Sequence, residues 1–165
     1  MATRTGKSGT GLTIVELLIA LAITGILLAA VAVAFHASIV NYQENEDIFK
    51  TINSARQALF RMTTQIRTGL VDPNDISNEN TCKLLCADGS EVTYRYDSPS
   101  NTLYLYDHGT GTDYVLCENV TDMTFNKDNN TEAGDVKSVR ISMTVVSSNI
   151  ERTLSAAAAV RKVLK

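Results

Sequence analysis

Three cysteines are the most reactive side chains in this sequence. Three residues separate Cys82 from Cys86, and Cys117 lies further along the chain. In an oxidising compartment such thiols persist as disulfides. We expect one disulfide and one free thiol, with Cys82–Cys86 slightly favoured over a bond from Cys117 to either of them. A zinc site is a distant alternative, because C-x2-C spacing and a histidine partner are both missing.

The two histidines could transfer protons, but the sequence gives neither of them a partner. His36 ends an apolar run, and His108 lies in the glycine-rich stretch 107–113, which we interpret as a flexible turn. No nucleophile motif such as G-x-S-x-G lies near either residue. A lone loop histidine defines no site. The sequence therefore predicts no catalytic residue, no metal and no cofactor, and the protein is not expected to be an enzyme.

Residues 126–135 form an oxygen-rich stretch that could be compared with a calcium loop. The EF-hand pattern fails, because Ala133 stands where glycine is required and Val139 stands where the last glutamate is required. We interpret the stretch as a solvated loop, and calcium binding is left open.

Four tyrosines, Tyr94, Tyr96, Tyr104 and Tyr106, fall on two adjacent predicted strands. Aromatic residues are enriched at interfaces, so this hairpin could be a contact surface. Cross-strand stabilisation of a sheet explains the same pattern and is favoured.

Glu16 lies inside the apolar stretch GLTIVELLIAL. Between residues 12 and 40, Glu16 and His36 are the only ionisable side chains. A charge at the centre of a bilayer costs about 2.5–3.5 kcal/mol, so an intramembrane carboxylate is a functional residue by default. The alternative is an interfacial residue that reaches the lipid headgroups.

The apolar run is long enough to span a bilayer and too long for a cleavable secretory signal. Arg4 and Lys7 precede it, while acidic residues follow it. This bias places the N-terminus in the cytoplasm and the remainder outside.

The same helix is expected to continue to about residue 68. Its apolar positions are spaced by alternating steps of four and three residues, at Ile48, Ile52, Ala55, Leu59, Met62 and Ile66. Gly69 and Pro73 mark its end. Residues 12–40 are interpreted as the membrane helix, and residues 41–69 as an amphipathic stalk that packs on the domain formed by residues 70–165.

Residues 70–165 alternate apolar and polar positions with a period of two, which is typical of strands. The clearest runs surround Tyr94, Leu105, Phe125, Ile141 and Leu154, with a hairpin turn at residues 147–149. The sequence predicts an antiparallel meander covered on one face by the stalk, which is an α+β fold. The net charge of −3 and the lack of a basic run beyond the first residues give no footprint for nucleic acid.

The residues around Glu16 resemble the N-terminal motif of type IV pilins and type II secretion pseudopilins. In that family a short basic leader ends in glycine, and a glutamate is the fifth residue of the apolar helix that follows. Gly11, Leu12 and Glu16 match these positions, although the residue at Leu12 is often phenylalanine. The motif covers about residues 11–28, and a helical stalk extends the likeness to about residue 68.

The resemblance implies a pilin-like fold and a processing pathway. Residues 1–11 would be a leader that prepilin peptidase removes between Gly11 and Leu12, and the new amine would then be methylated. Glu16 would pair with the N-terminal amine of a neighbouring subunit in the filament. Gly25 matches a family glycine in a region that can unwind in filaments, and close helix packing explains it equally well.

The resemblance also narrows the type of subunit. Val33 occupies a position where major pilins usually carry proline, which favours a minor pilin or pseudopilin. Residues 58–62, 117–125 and 139–145 resemble J-type pseudopilins and PilW-like minor pilins.

The implied partners are other pilins, prepilin peptidase and an inner-membrane platform driven by a cytoplasmic ATPase. The implied location is the bacterial inner membrane and then the fibre. Whether that fibre serves secretion, DNA uptake, motility or adhesion is left open. The alternative function is an uncleaved, signal-anchored binding module.

Overall fold

A computed structural model describes residues 11, 13–129 and 135–161, and it shows an α+β fold of the pilin type. Within these described residues, one long helix, α1 (Ile14–Thr68), precedes eight strands. The chain divides into two compact units, Met1–Gln43 and Glu44–Lys165. The first unit contains the apolar part of α1, and the second contains the rest of α1 and all the strands.

The second part of α1 packs through one stripe of side chains. Ala55, Ala58, Leu59, Met62 and Ile66 are buried against the strands, and Ile48 and Ile52 are half-buried. The spacing of three and four residues places these side chains on one face of a helix. The predicted stripe is therefore confirmed, and most of its stability comes from burial of that face.

Gly69 ends α1 because the chain there runs close to other backbone. Its amide donates to the Gln65 carbonyl at 2.8 Å. A Cβ at this position would lie 2.7 Å from the Leu85 carbonyl oxygen and 3.0 Å from that of Gln65. The predicted helix end is confirmed, and the reason for glycine is close approach.

The strands form two antiparallel sheets in which consecutive strands are neighbours. The five-stranded sheet has the order β1-β2-β3-β4-β5, and the three-stranded sheet has the order β6-β7-β8. Their bounds are β1 Leu70–Val71, β2 Thr81–Leu85, β3 Glu91–Asp97, β4 Thr102–Asp107, β5 Thr112–Cys117, β6 Val120–Asn129, β7 Val136–Ser147 and β8 Ile150–Ala159. A short 3₁₀ turn, Pro73–Asp75, lies between β1 and β2.

Hydrogen bonds from one loop segment connect the two sheets. The Glu79 carbonyl accepts from the Phe125 amide of β6 at 2.8 Å, and the Asn80 carbonyl accepts from the Tyr96 amide of β3 at 2.9 Å. The Tyr96 hydroxyl donates to the Val120 and Thr121 carbonyls. These bonds satisfy backbone groups that a buried sheet junction would otherwise leave unpaired.

The core is continuous across both sheets and the stripe of α1. Its largest fully buried side chains are Tyr94, Phe125, Met62, Ile66, Leu84, Leu103, Met123, Ile141 and Met143. The strands predicted around Tyr94, Leu105, Phe125, Ile141 and Leu154 are all present, and the turn between β7 and β8 lies at the predicted place. The single predicted meander is instead two sheets, and β1 and β2 were not predicted.

Candidate functional site

The apolar part of α1 presents its side chains to the outside on every face. Residues 13–47 are all exposed, and Leu18, for example, keeps 62 % of its surface exposed. Burying one large aliphatic side chain is worth about 1.5–3 kcal/mol, so this surface cannot remain in water. By length and composition, α1 is a helix able to cross a membrane. The segment therefore needs lipid or other apolar helices around it.

Thr13 caps the start of α1. Its hydroxyl accepts from the Glu16 amide at 3.3 Å, and its carbonyl accepts from the Leu17 amide at 3.1 Å. An N-cap of this kind satisfies one of the free amides of the first helical turn. Thr13 with Glu16 has the S/T-x-x-E spacing of a capping box, a sequence signal that could have located this helix start.

Glu16 lies in the first turn of α1, with its side chain exposed. Within the described residues no cation forms an ion pair with it. The position favours an anion, because the N-terminus of a helix carries a partial positive charge. Among the described residues, the Glu16 carboxylate is therefore an exposed acid in an apolar helix with no cation beside it.

Of the two residues at the expected cleavage site, the structure describes Gly11. Gly11 is exposed, and a Cβ built on it would have no atom within 4 Å. Leu12 lies outside the described residues. Gly11 itself is therefore not crowded by any described residue.

Gly25 is helical, and no neighbouring side chain requires a glycine there. A Cβ built on Gly25 would meet nothing within 4 Å. The preceding Thr24 hydroxyl donates to the Ala20 carbonyl at 2.7 Å, a bond that competes with the helix ladder. Glycine in a helix interior costs about 0.5–1 kcal/mol relative to alanine. No contact within the described chain offsets this cost.

These features coincide with a known sequence motif. Residues 7–32 match the prokaryotic N-terminal methylation motif. This match includes Gly11, Glu16 and Gly25, and it supports a subunit of the type IV pilin and pseudopilin kind. No curated protein and no solved structure gives a significant match to the chain.

In the structure Cys82, Cys86 and Cys117 are free thiols, and the favoured Cys82–Cys86 disulfide is not formed. Cys82 lies in β2 and Cys86 directly follows it, so four extended residues hold them about 13 Å apart. Cys117 lies on β5, three strands from β2, which is about 14 Å. A disulfide needs Cα atoms within about 7 Å, so neither alternative pairing of Cys117 fits this sheet.

Burial makes two of the thiols unreactive. Desolvation raises the pKa of Cys82 to about 12, with smaller effects from Lys127 and Asp75. Desolvation also raises the pKa of Cys117 to about 11. Because the thiolate is the reactive form, both residues are structural core positions at neutral pH.

Lys127 is buried, which corrects the solvated loop expected at residues 126–135. Strand β6 continues to Asn129, and residues 130–134 lie outside the described part of the chain. The Lys127 ammonium donates to the carbonyl of Asp75, to Asp75 Oδ2 at 2.9 Å and to the carbonyl of Asn78 at 2.7 Å. Among the described residues no group of three histidines, cysteines or carboxylates is placed to hold a metal.

The four tyrosines divide between the two faces of the five-stranded sheet. Tyr94 and Tyr96 face the core, where burial raises the pKa of Tyr94 and its hydroxyl donates to Gln65. Tyr104 and Tyr106 are half-buried on the outer face. The Arg95 guanidinium lies 5.4 Å from the centre of the Tyr104 ring. Cross-strand stabilisation was the favoured interpretation, and of the four tyrosines only Tyr104 and Tyr106 lie where the alternative contact surface would need them.

Proposed function

We propose that this chain is a minor pilin or pseudopilin, a structural subunit of a type IV pilus or a type II secretion pseudopilus. The observation that most directly supports this proposal is that the methylation motif coincides with a helix exposed on every face. Such a helix needs a bilayer before assembly and sister helices afterwards. Lipid and packed helices are both apolar surroundings, so transfer between them costs little hydrophobic free energy.

Glu16 is the residue to which we assign recognition within the fibre. After cleavage between Gly11 and Leu12, the new amine of one subunit would meet the Glu16 carboxylate of its neighbour. A carboxylate paired with an amine is tolerated in an apolar environment, whereas removal of one partner leaves an uncompensated charge and costs about 3–5 kcal/mol. The pair would therefore fix the axial register of otherwise featureless apolar helices.

The proposed partners follow from this pathway. They are prepilin peptidase, sister pilins that contact α1, and an inner-membrane assembly platform with a cytoplasmic ATPase. The chain would cross the inner membrane once, with its strands outside, and would then enter the fibre. Val33, in place of the proline of major pilins, supports a minor position in the fibre, of the J-type or PilW-like kind.

Intact mass of the protein from membranes tests this proposal. With active prepilin peptidase we expect a chain that begins at Leu12 and carries one additional methyl group. Gly11→Val should block this processing, because the peptide before the cut would carry a branched side chain. Gly25→Ala is the matched control, since both glycines are exposed and free of contacts. An uncut wild-type chain in the presence of the peptidase would contradict the proposal and favour the signal-anchored binding module.

A further inference from the structure

Strand β8 is an edge strand that lacks the usual protection of an edge. It pairs with β7 over all ten residues, Ile150–Ala159, without any shift in register. The other edges of the two sheets are less open. Strand β1 has two residues, β5 has a register shift, and the β6 edge meets the Glu79 and Asn101 carbonyls. Bulges, short strands and covering loops are the usual defences against edge-to-edge pairing.

The register shows which backbone groups of β8 are open. The Val160 amide donates to the Lys137 carbonyl at 3.0 Å, in line with the pairing of Ala159 with Ser138. In an antiparallel pair, alternate residues turn both backbone groups toward the same neighbour. The outward-facing residues are therefore Glu151, Thr153, Ser155, Ala157 and Ala159. All five are exposed, and no residue within 11, 13–129 and 135–161 donates a hydrogen bond to, or accepts one from, their outward groups.

The open part of the β8 edge ends near Arg161, and most of its residues are uncharged. At Arg161 the amide donates to the Arg67 carbonyl at 3.4 Å, which closes the edge there. From Thr153 to Ala159 there is no charge and no proline, and the outward-facing residues there are small. A neutral edge without a bulge is a template for another strand.

We propose that β8 pairs with β8 of a second copy of this chain, antiparallel and about a two-fold axis at Ser155. This register pairs all five open residues, because the set is symmetric about Ser155. Glu151 then lies opposite Ala159 of the other copy, Thr153 opposite Ala157, and Ser155 opposite itself. The result is a six-stranded sheet that spans two molecules.

Charge and burial both fit a second copy as the occupant. In this register Glu151 of one copy is the diagonal neighbour of the exposed Arg161 of the other, within reach of long side chains. Because the arrangement is two-fold, this pair occurs twice. On the core face, half-buried Leu154 meets half-buried Ala156 of the other copy, so the remaining apolar surface of both is covered.

This dimer is a state outside the proposed fibre, and it does not depend on the proposed function. An isologous contact uses the same patch on both molecules and closes on itself, whereas a fibre grows through heterologous contacts. The pairing would therefore hold two copies of the chain as a closed pair.

Cysteine cross-linking of the full chain in detergent tests the register. In a hydrogen-bonded antiparallel pair the Cα atoms are about 5.5 Å apart, which suits a disulfide. Ser155→Cys should therefore oxidise to a covalent dimer, located by mass analysis of the linked peptide. Thr153→Cys is the matched control, because its two copies would be separated by about 13 Å along the strands. Equal cross-linking by the two variants, or none by Ser155→Cys, would overturn the proposal.

A proline variant tests the edge without depending on cross-linking. Ala157→Pro removes an outward amide that the fold does not use, and proline is tolerated at such edge positions. We expect it to retain the circular dichroism of the native chain but to change the mass in light scattering from dimer to monomer. Ala157→Ser keeps the amide and should remain dimeric. A monomeric wild type, or a dimeric proline variant, would show that β8 does not form the contact.

Discussion

Lys127 Nζ lies 2.9 Å from Asp75 Oδ2, and the Lys127 side chain is completely shielded from solvent. The same carboxylate accepts from the Thr81 hydroxyl at 2.6 Å and from the Lys83 amide at 2.9 Å. One buried cation on β6 thus holds the turn that precedes β2. The turn leads into the loop whose carbonyl groups accept hydrogen bonds from β3 and β6. The ion pair therefore helps to connect the two sheets.

Replacing Lys127 should destabilise the domain strongly. Lys127→Met removes the cation from beside Asp75 Oδ2 and takes its donor from the Asn78 carbonyl. The Asp75 carbonyl loses the ammonium as well and keeps the Asn78 amide at 3.3 Å. Breaking a buried pair by removing one partner costs about 3–5 kcal/mol, so we expect a loss of about 3 kcal/mol in the free energy of unfolding. Urea unfolding followed by circular dichroism measures this value.

Lys137→Met is the matched control for Lys127→Met, because Lys137 lies on the neighbouring strand with its side chain exposed. A surface substitution of this kind changes stability by no more than about 0.5 kcal/mol. Equal stability of the two variants would show that the buried ion pair contributes little.

The burial of Lys127 shows what the sequence could and could not predict. Phe125 lies on a correctly predicted strand and is buried, and the same period of two places Lys127 on the core face. The polar composition of the following residues instead favoured a solvated loop. The partners of Lys127 are about fifty residues away along the chain, and local patterns do not indicate such contacts.

The missed strand β2 has a different cause. Its two buried residues, Cys82 and Leu84, alternate correctly, but the strand is short, and the two cysteines favoured a closed loop. The apolar helix and its stripe were predictable because their signals are long and periodic. The division of the tyrosines between the two faces of the sheet could also have been predicted from the sequence, because successive side chains of a strand point to opposite faces.

Thiol labelling should distinguish the three cysteines. Cys82 and Cys117 are buried and protonated, whereas Cys86 is half-buried. We expect the folded protein to take up one alkyl group at Cys86, and the unfolded protein to take up three without any reductant. Mass analysis counts the labels. A chain that accepts fewer than three labels until it is reduced would show that a disulfide forms in the native protein.

Stability should decrease in alkaline solution because of Cys82. Its pKa is raised from an ordinary value of 9.0 to about 12 by burial, so the unfolded thiol loses its proton while the folded thiol retains it. This contribution is fully present below pH 9 and is lost as the pH rises toward 12. Each such group adds a slope of up to about 1.4 kcal/mol per pH unit.

The cysteine variants test the source of that slope. Between pH 9 and 10, Cys82→Ala should reduce the pH dependence of the unfolding free energy by about half, because Cys117 has a raised pKa as well. Leu84→Ala also opens a cavity behind β2 but removes no titratable group, and it should leave the slope unchanged. The absolute stability of Cys82→Ala will be lower because of the cavity, so the slope is the informative quantity. An unchanged slope in Cys82→Ala would assign the alkaline loss to other groups.

Glu16 should affect assembly without affecting the stability of the folded domain. Its side chain is exposed, and its own chain supplies no cation to it within the described residues, so Glu16→Gln has no intramolecular ion pair to break. We expect unchanged unfolding by circular dichroism and unchanged amounts in the membrane. In the fibre the variant would leave the neighbour's amine unpaired, at about 3–5 kcal/mol. Its incorporation should therefore decrease by about 100-fold or more, since each 1.4 kcal/mol is a factor of about ten.

The comparison that decides this point is between subunits with the same net charge. Glu44→Gln removes one carboxylate from an exposed position of α1 beyond the apolar run, and it should enter fibres normally. Quantitative mass spectrometry of sheared fibres and of membranes gives the ratio for both variants. If Glu16→Gln and Glu44→Gln enter fibres equally well, Glu16 does not pair with a neighbouring subunit. The role of Glu16 would then be limited to the start of its own helix, where a carboxylate in the first turn is favourable beside the Thr13 cap.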